Sequence, residues 1–179
     1  MDDRALLQRI RQGDEQAFDL LFRQYYAALV GFAESLLRGR AMAEDVVQDV
    51  LLEVWRRRES LEIDVTWRSY LFRATRNRAL NDLRHLRVAL RAEPLVRGPE
   101  SEEASSPAEI DAQELDRQFQ RVLAGLPEPV REVFQMSRRD GLTYGEIAGA
   151  LGVSVKTVEA RMGRALKELR EQLADWLKD

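Results

Sequence analysis

Apolar residues recur at spacings of three and four along most of the chain, and this periodicity is what most restricts its fold. The spacing follows the turn of an α-helix, so each such segment has one apolar face to bury. No segment shows the strict apolar–polar alternation that is typical of a half-buried strand. The pattern therefore predicts an all-α protein.

The helical pattern is interrupted most clearly at residues 92–109, where proline, serine, glycine and glutamate predominate. This composition offers little to bury and does not favour a regular element. We predict a flexible acidic linker there, which joins a small helical domain at 1–91 to a second one at 110–179. Helices are expected near 3–11, 14–37, 41–58 and 67–90 in the first domain, and near 110–124, 128–138, 144–151 and 155–177 in the second.

The net charge of -3 conceals two oppositely charged segments. Residues 66–91 contain seven arginines against one acid, which gives +6, and residues 93–119 contain two arginines against eight acids, which gives -6. Nucleic-acid affinity depends on local basic surface rather than on the total charge. The acidic total therefore does not exclude DNA binding.

Several classes of site are excluded by composition. The chain contains no cysteine and one histidine, His85, which argues against disulfides, metal clusters and nucleophile triads. We predict no catalytic residue, no metal, no cofactor and no small-molecule substrate. No apolar run approaches the roughly 18 residues that cross a bilayer, and the acidic N-terminus does not resemble a secretory signal. A cytoplasmic protein without membrane insertion is expected.

The segment IAGALGVSVKTVEARMGRAL, residues 147–166, has the pattern of a helix-turn-helix. Thr143 and Glu146 form a capping-box pattern before its first helix. Gly152 suits the left-handed end of that helix, and Ser154 suits the N-cap of the next one. The second helix sets small residues among basic ones opposite its apolar stripe, which suits a major groove. A helical hairpin with a solvated basic face is the alternative, and the caps and the turn favour DNA binding.

Two helices of the first domain carry residues that core packing alone does not explain. In residues 43–58, Leu52 is a large apolar residue among polar groups on the outward face. With Trp55 beside it, this face indicates a protein-binding surface as readily as an ordinary solvated one. In residues 66–87, aromatic residues are mixed with repeated arginines. This mixture is typical of single-strand binding, but also of an arginine-rich solvated helix.

Three segments together resemble the successive signatures of a bacterial extracytoplasmic-function (ECF, group 4) sigma factor of the sigma-70 family. They are AEDVVQDVLLEVWRRR, YLFRATRNRALNDLR and LPEPVREVFQMSRRDGLTYGEIAGALGVSVKTVEARMGRALKELR. Their order, their spacing and the intervening linker agree with the family over residues 10–175. Leu51 stands where the family often has phenylalanine, and Tyr70 where tryptophan is common. The resemblance implies a transcription initiation factor, not an enzyme, that is commonly controlled by an anti-sigma factor.

The resemblance also implies three sets of contacts. The first domain would bind core RNA polymerase, through the β′ coiled-coil and the β subunit, with Asp45, Gln48, Asp49, Leu52, Glu53 and Arg56. The same domain would open the promoter -10 element and hold melted bases between the 59–66 loop and the helix after it. By family position the expected -10 contacts are Arg73, Arg76, Asn77, Asn81 and Arg84, and the aromatic–arginine pattern of this helix adds Trp67. The second domain would read the -35 element as duplex with Ser154, Lys156, Thr157, Ala160, Arg161 and Arg164.

Two other classes of protein fit parts of the sequence. A two-domain regulator with a similar helix-turn-helix would carry a signal-receiving domain, often of βα fold, whose strand pattern is missing here. An enzyme would need a phosphate-binding glycine loop, a metal cluster or a nucleophile arrangement, and the sequence contains none of these. The sigma-factor interpretation is therefore favoured over both.

Overall fold

The computed structural model describes residues 2–90 and 107–174, with the side chains of 2–86 and 114–174. These residues form eight α-helices and one short 3₁₀ turn, and no strand is found among them. The prediction of an all-α protein is confirmed. Of the predicted linker, residues 92–106 lie outside the described residues, and 107–109 already belong to a helix.

The helices begin close to the predicted positions and end within two residues of them, except α8, which ends five residues before the predicted 177. They are α1 (Asp3–Arg11), α2 (Glu15–Leu37), α3 (Arg40–Arg56), α4 (Trp67–Leu90), α5 (Pro107–Gly125), α6 (Glu128–Arg138), α7 (Tyr144–Leu151) and α8 (Val155–Gln172), with the 3₁₀ turn at Arg58–Ser60. The largest difference at a helix start is in α5, which begins three residues earlier than predicted. Its first residue is proline, whose fixed φ suits the first turn of a helix.

Contacts between helices divide the chain into two units. One contains α1 to α4 together with residues Gly145–Gly152, and the other contains α5, α6 and α8. In the first unit, α2 packs against α3 and α4, and the rings of Phe32 and Phe72 lie 5.0 Å apart at the α2–α4 contact. In the second, α5 and α6 both pack against α8. The domain limits predicted at 91 and 110 stay predictions.

Asp14 is the N-cap of α2. Its Oδ1 accepts from the main-chain N–H groups of Gln16 and Ala17 at 3.0 and 3.1 Å, and its Oδ2 accepts from Arg9 Nε at 2.8 Å. The hydrogen bond from Arg9 is the main reason that the pKa of this carboxyl is lowered, and the bond from Ala17 adds to it. Because the folded state disfavours the protonated form, the stabilisation is present above the unfolded pKa and lost as pH falls through the folded pKa.

We expect Asp14→Ala to lower the thermal midpoint by a few degrees at pH 7, because it removes both the cap and the charge. The difference from the wild type should shrink below about pH 4, where the unfolded carboxyl takes up its proton before the folded one does. Asp14→Asn keeps the cap but not the charge, so its thermal midpoint at pH 7 should lie between those of the wild type and Asp14→Ala. Circular dichroism melts from pH 7 to pH 3 measure this, and a constant difference across the range would contradict an ionised cap.

Candidate protein and nucleic-acid interfaces

The outward face of α3 combines charged and amide side chains with one large apolar residue. Leu52 has 48% of its surface exposed. The other predicted contacts on this helix are Asp45, Gln48, Asp49 and Arg56, which are exposed, and Glu53, which is half-buried. The inward stripe predicted for the helix is confirmed as buried; it comprises Val47, Val50, Leu51 and Val54. The helix is therefore amphipathic as expected, and Leu52 is the exception on its polar face.

An apolar cleft of about 180 Å³ opens beside Leu52, between α2 and α3. Phe18 and Trp55 line it with ring centroids 5.0 Å apart, and the partly exposed Phe22 completes its edge. Arg58 covers the ring of Trp55 at 4.6 Å, a cation–π contact. The volume is below the roughly 300–1,000 Å³ of small-molecule pockets, so the cleft suits one apolar side chain of a partner. The periodicity of α3 could not predict the two phenylalanines, because they come from another helix.

Two acidic residues of the α3 face are paired with arginines. Asp49 Oδ2 lies 2.5 Å from Arg78 Nη2 on α4, and Glu53 pairs with Arg57 one turn along α3. Arg78 also approaches Asp82 on its own helix at 3.5 Å. Since these groups are largely exposed, each pair contributes at most about 1 kcal/mol to stability. A binding partner can therefore rearrange them at small cost.

The predicted -10 contacts on α4 form one stripe. Arg73, Asn77, Asn81 and Arg84 follow one another at helical intervals and are all exposed. Arg76 is half-buried on the flank of the stripe. Guanidinium groups suit phosphates, and asparagine amides suit base edges. The stripe can therefore follow a nucleic-acid strand along the helix.

The structure contradicts one of the predicted -10 contacts, Trp67. Its side chain is completely buried, so its ring does not face the surface where a base would stack. The indole Nε1–H donates to the main-chain carbonyl of Asp3 at 3.2 Å. The ring meets Tyr70 edge-on, with centroids 6.2 Å apart. Trp67 is a core residue beneath Tyr70, and Tyr70 is the aromatic residue that reaches the surface.

A pocket of about 360 Å³ lies between the 62–65 segment and the first turns of α4. Its polar lining includes Glu62 and Asp64 from the segment, and Arg73 and Asn77 from the exposed stripe. Tyr70 is its aromatic wall. Burial is the main reason that the pKa of the Tyr70 phenol is raised, so the hydroxyl keeps its proton near neutral pH. The pocket thus presents an aromatic surface, acceptors and donors in a volume that fits a small planar group.

The turn between α7 and α8 has the predicted local geometry. Gly152 adopts a φ of +66°, in the left-handed region that favours glycine. Ser154 Oγ accepts from the main-chain N–H of Thr157 at 3.1 Å and so caps α8. The two hydroxyls of Ser154 and Thr157 lie 2.8 Å apart and share a further hydrogen bond. The glycine end and the serine cap are confirmed, and the capping box at Thr143 stays a prediction.

The exposed side of α8 carries the predicted -35 contacts. Ser154, Lys156, Ala160 and Arg164 are exposed, and Thr157 and Arg161 are half-buried at the edges. The buried side contains four of the five residues predicted for the apolar stripe, namely Val158, Met162, Ala165 and Leu169. The fifth, Leu166, is half-buried. Small residues between the cations leave the helix backbone accessible to a groove, whereas a row of long side chains would hold it away. The roles of the individual residues stay predictions.

Residues 2–90 and 107–174 contain no group of three or more histidines or acids that is arranged to hold a metal ion. No helix within these ranges is both long and apolar enough to cross a membrane. The cytoplasmic location and the absence of cofactors and catalytic residues stay predictions.

Most of the surfaces described above fall in two segments that match known families. Residues 21–88 match the model of sigma-70 region 2, and residues 116–169 match that of sigma-70 region 4. The first segment contains the α3 face, the pocket and the α4 stripe, and the second contains α7 and α8. The class defined by this combination is the sigma-70 type of transcription initiation factor.

Relatives of similar length show to which group of sigma-70 factors the chain belongs. The ECF RNA polymerase sigma factor SigK of Mycolicibacterium vanbaalenii is 31% identical over 173 residues, which cover 94% of this chain and 88% of SigK. The ECF RNA polymerase sigma-E factor of Escherichia coli is 30% identical over 92% of this chain and 91% of its own. The chain is also similar to CnrH in a solved structure of its complex with the cytosolic domain of CnrY. The similarity covers 97% of this chain and 97% of the matched chain, with 26% identity and a TM-score of 0.68. The chain belongs to the ECF RNA polymerase sigma factors, as its sequence resemblance predicted.

Proposed function

We propose that this protein binds core RNA polymerase and directs initiation at promoters through two different DNA contacts. The observation that carries the proposal is the pocket beside the exposed stripe of α4. A regulator that reads only duplex DNA does not need a base-sized pocket, because the bases of the duplex stay stacked. A factor that captures a melted strand needs both a pocket for a base and cations for the backbone.

The polymerase contact is assigned to the outward face of α3. Leu52 and the cleft formed by Phe18, Phe22 and Trp55 offer apolar surface that accepts a side chain of a partner helix. The surrounding polar residues would form the rim, where charge fixes orientation more than affinity. Apolar anchors in a central pocket account for most of the energy in interfaces of this kind. The expected partner is the β′ coiled-coil of the polymerase.

The -10 contact is assigned to the pocket and the stripe. An extruded base would stack on Tyr70, and Arg73 and Arg84 would hold phosphates of the strand farther along α4. Carboxylates such as those of Glu62 and Asp64 accept hydrogen bonds but donate none. They therefore pair with an exocyclic amino group of a base and repel a carbonyl oxygen. The pocket is therefore expected to prefer cytosine or adenine over thymine.

The -35 contact is assigned to α8, whose exposed cations and small residues would enter the major groove of duplex DNA. The polymerase holds both DNA contacts on one assembly, so each contact raises the effective concentration of the other. Neither DNA contact therefore needs a high affinity by itself.

Control by an anti-sigma factor is also proposed, on the basis of the family and of the complex of the similar protein CnrH with the cytosolic domain of CnrY.

Reconstitution with core polymerase tests the proposal. Purified bacterial core enzyme with this protein should start transcripts on genomic DNA at sites that share -10 and -35 sequences, whereas core enzyme alone should not. The holoenzyme should also select, from single-stranded DNA with randomised positions, strands that carry cytosine or adenine at one position. A protein that binds duplex DNA by itself but never associates with core polymerase would contradict the sigma-factor function and favour an independent regulator.

A further inference from the structure

Residues 62–66 form a loop that lines the pocket beside Tyr70. Helix α1 is hydrogen-bonded to Leu61, the residue just before this loop. The Arg11 guanidinium donates from Nε and from Nη2 to the main-chain carbonyl of Leu61, at 3.0 and 2.5 Å. Leu61 follows the 3₁₀ turn and is itself buried. Because both bonds come from one charged group, they fix the direction of this carbonyl, and so the direction in which the loop leaves the turn.

The same helix contacts the end of the loop through Asp3. The Asp3 carboxylate accepts from the main-chain N–H of Trp67 at 2.9 Å, and its main-chain carbonyl accepts from the Trp67 indole at 3.2 Å. Trp67 is the first residue of α4, where N–H groups lack partners within the helix and negative charge is favoured. Thr66 Oγ1 accepts from Ser69 N at 3.1 Å and caps the same helix locally. Asp3 thus ties α1 to the point where the loop becomes α4.

Only residues 62–66 lie between these two attachment points, and three of them line the pocket: Glu62, Asp64 and Val65. The helix that holds the loop precedes the segment 21–88 that matches sigma-70 region 2. Leu6 and Ile10 are buried, so α1 is itself anchored in the core of the first unit. We propose that Asp3 and Arg11 are positioning residues that hold the 62–66 loop in the shape required to select a base.

This inference rests on the proposed function of the pocket and adds a cause for its selectivity. A loop of five residues that is attached at both ends has few conformations, so little ordering remains to be done when a base enters. If either attachment is lost, Glu62 and Asp64 sample more positions and meet the amino group of the base less often. Selectivity between bases should then fall more than the general affinity for a strand, which depends on phosphate contacts.

The test uses the holoenzyme and single-stranded DNA with randomised positions, and it measures enrichment of the preferred base at the most selective position. Asp3→Ala and Arg11→Ala should each lower that enrichment about tenfold, the usual effect of losing a hydrogen bond with a charged group. Asp3→Asn keeps an oxygen that can accept from Trp67 N and should retain most of the enrichment. Arg4→Ala is the matched control, since it removes one exposed arginine from the same helix without touching the loop.

Two further measurements separate positioning from general damage. Thermal unfolding of each variant records the loss of stability, and titration with core polymerase records the α3 contact. A merely structural role would lower the melting temperature and leave the ratio between bases unchanged in the folded holoenzyme. Unchanged selectivity in both Asp3→Ala and Arg11→Ala would overturn the positioning role alone. If the wild-type holoenzyme selects no base at any position, the proposed -10 function fails and the positioning role fails with it.

Discussion

Trp67→Ala is expected to destabilise the first unit by about 3–5 kcal/mol, the usual cost of removing a fully buried tryptophan side chain. The ring is buried at the junction of α1, the 62–66 loop and α4, and its loss also removes a hydrogen bond to Asp3. Domains of this size are stable by roughly 5–15 kcal/mol, so the variant should lose a large share of its stability and unfold at a lower temperature than the wild type. Urea unfolding followed by circular dichroism measures the loss.

Trp67→Phe separates the core role from a DNA-contact role. It keeps an aromatic side chain beneath Tyr70 and loses the indole N–H, while the bond from Trp67 N to the Asp3 carboxylate does not depend on the side chain. We expect a loss of stability of about 1–3 kcal/mol from the lost hydrogen bond and the smaller ring. Affinity of the folded holoenzyme for the melted strand should stay within about twofold, because no DNA contact is removed. A large loss of strand affinity without a loss of stability would restore Trp67 as a DNA contact.

The sequence predicted the helices well because their ends are encoded locally. Asp14 and Ser154 cap the helices that follow them, and Gly152 takes the left-handed conformation. The start of α5 was the exception, because Pro107 opens that helix and was placed in the predicted linker. Each of these signals depends on a few neighbouring residues and on the backbone alone. The buried stripe of α3 follows from its periodicity in the same way. Local chemistry was therefore enough for an all-α fold.

The site was less predictable because its decisive contacts join distant parts of the chain. Trp67 was assigned to DNA as an aromatic residue among arginines, but its indole is hydrogen-bonded to Asp3, 64 residues earlier. The aromatic cleft needs Phe18 beside Trp55, and the pocket needs Glu62 beside Asn77. Helical periodicity reports which face of one helix is apolar, but not which helix lies against it. The stripe on α4 was predictable because one helix supplies all of it.

Leu52→Asp is expected to weaken binding to core polymerase by at least about 30-fold, the effect of losing an interface residue worth 2 kcal/mol or more. Leu52 is the exposed apolar residue on the polar face of α3, and it borders the cleft formed with Phe18, Phe22 and Trp55. A carboxylate at this position would have to lose its hydration beside aromatic rings, which adds to the loss of apolar contact. Since the side chain is half exposed, the free protein should keep its melting temperature within a few degrees.

Leu20→Asp is the matched control, because this leucine of α2 is 41% exposed and does not line the cleft. Fluorescence anisotropy of labelled protein with core polymerase should give nearly wild-type affinity for Leu20→Asp and the large loss for Leu52→Asp. Both variants carry the same change in charge, so a difference between them reports the position and not the net charge. Equal affinities would show that polymerase binds another face, and the cleft beside Leu52 would then have no part in the assembly. A loss confined to Leu52→Asp would place the cleft at the centre of the polymerase contact, because residues whose loss is most costly are those that become fully desolvated.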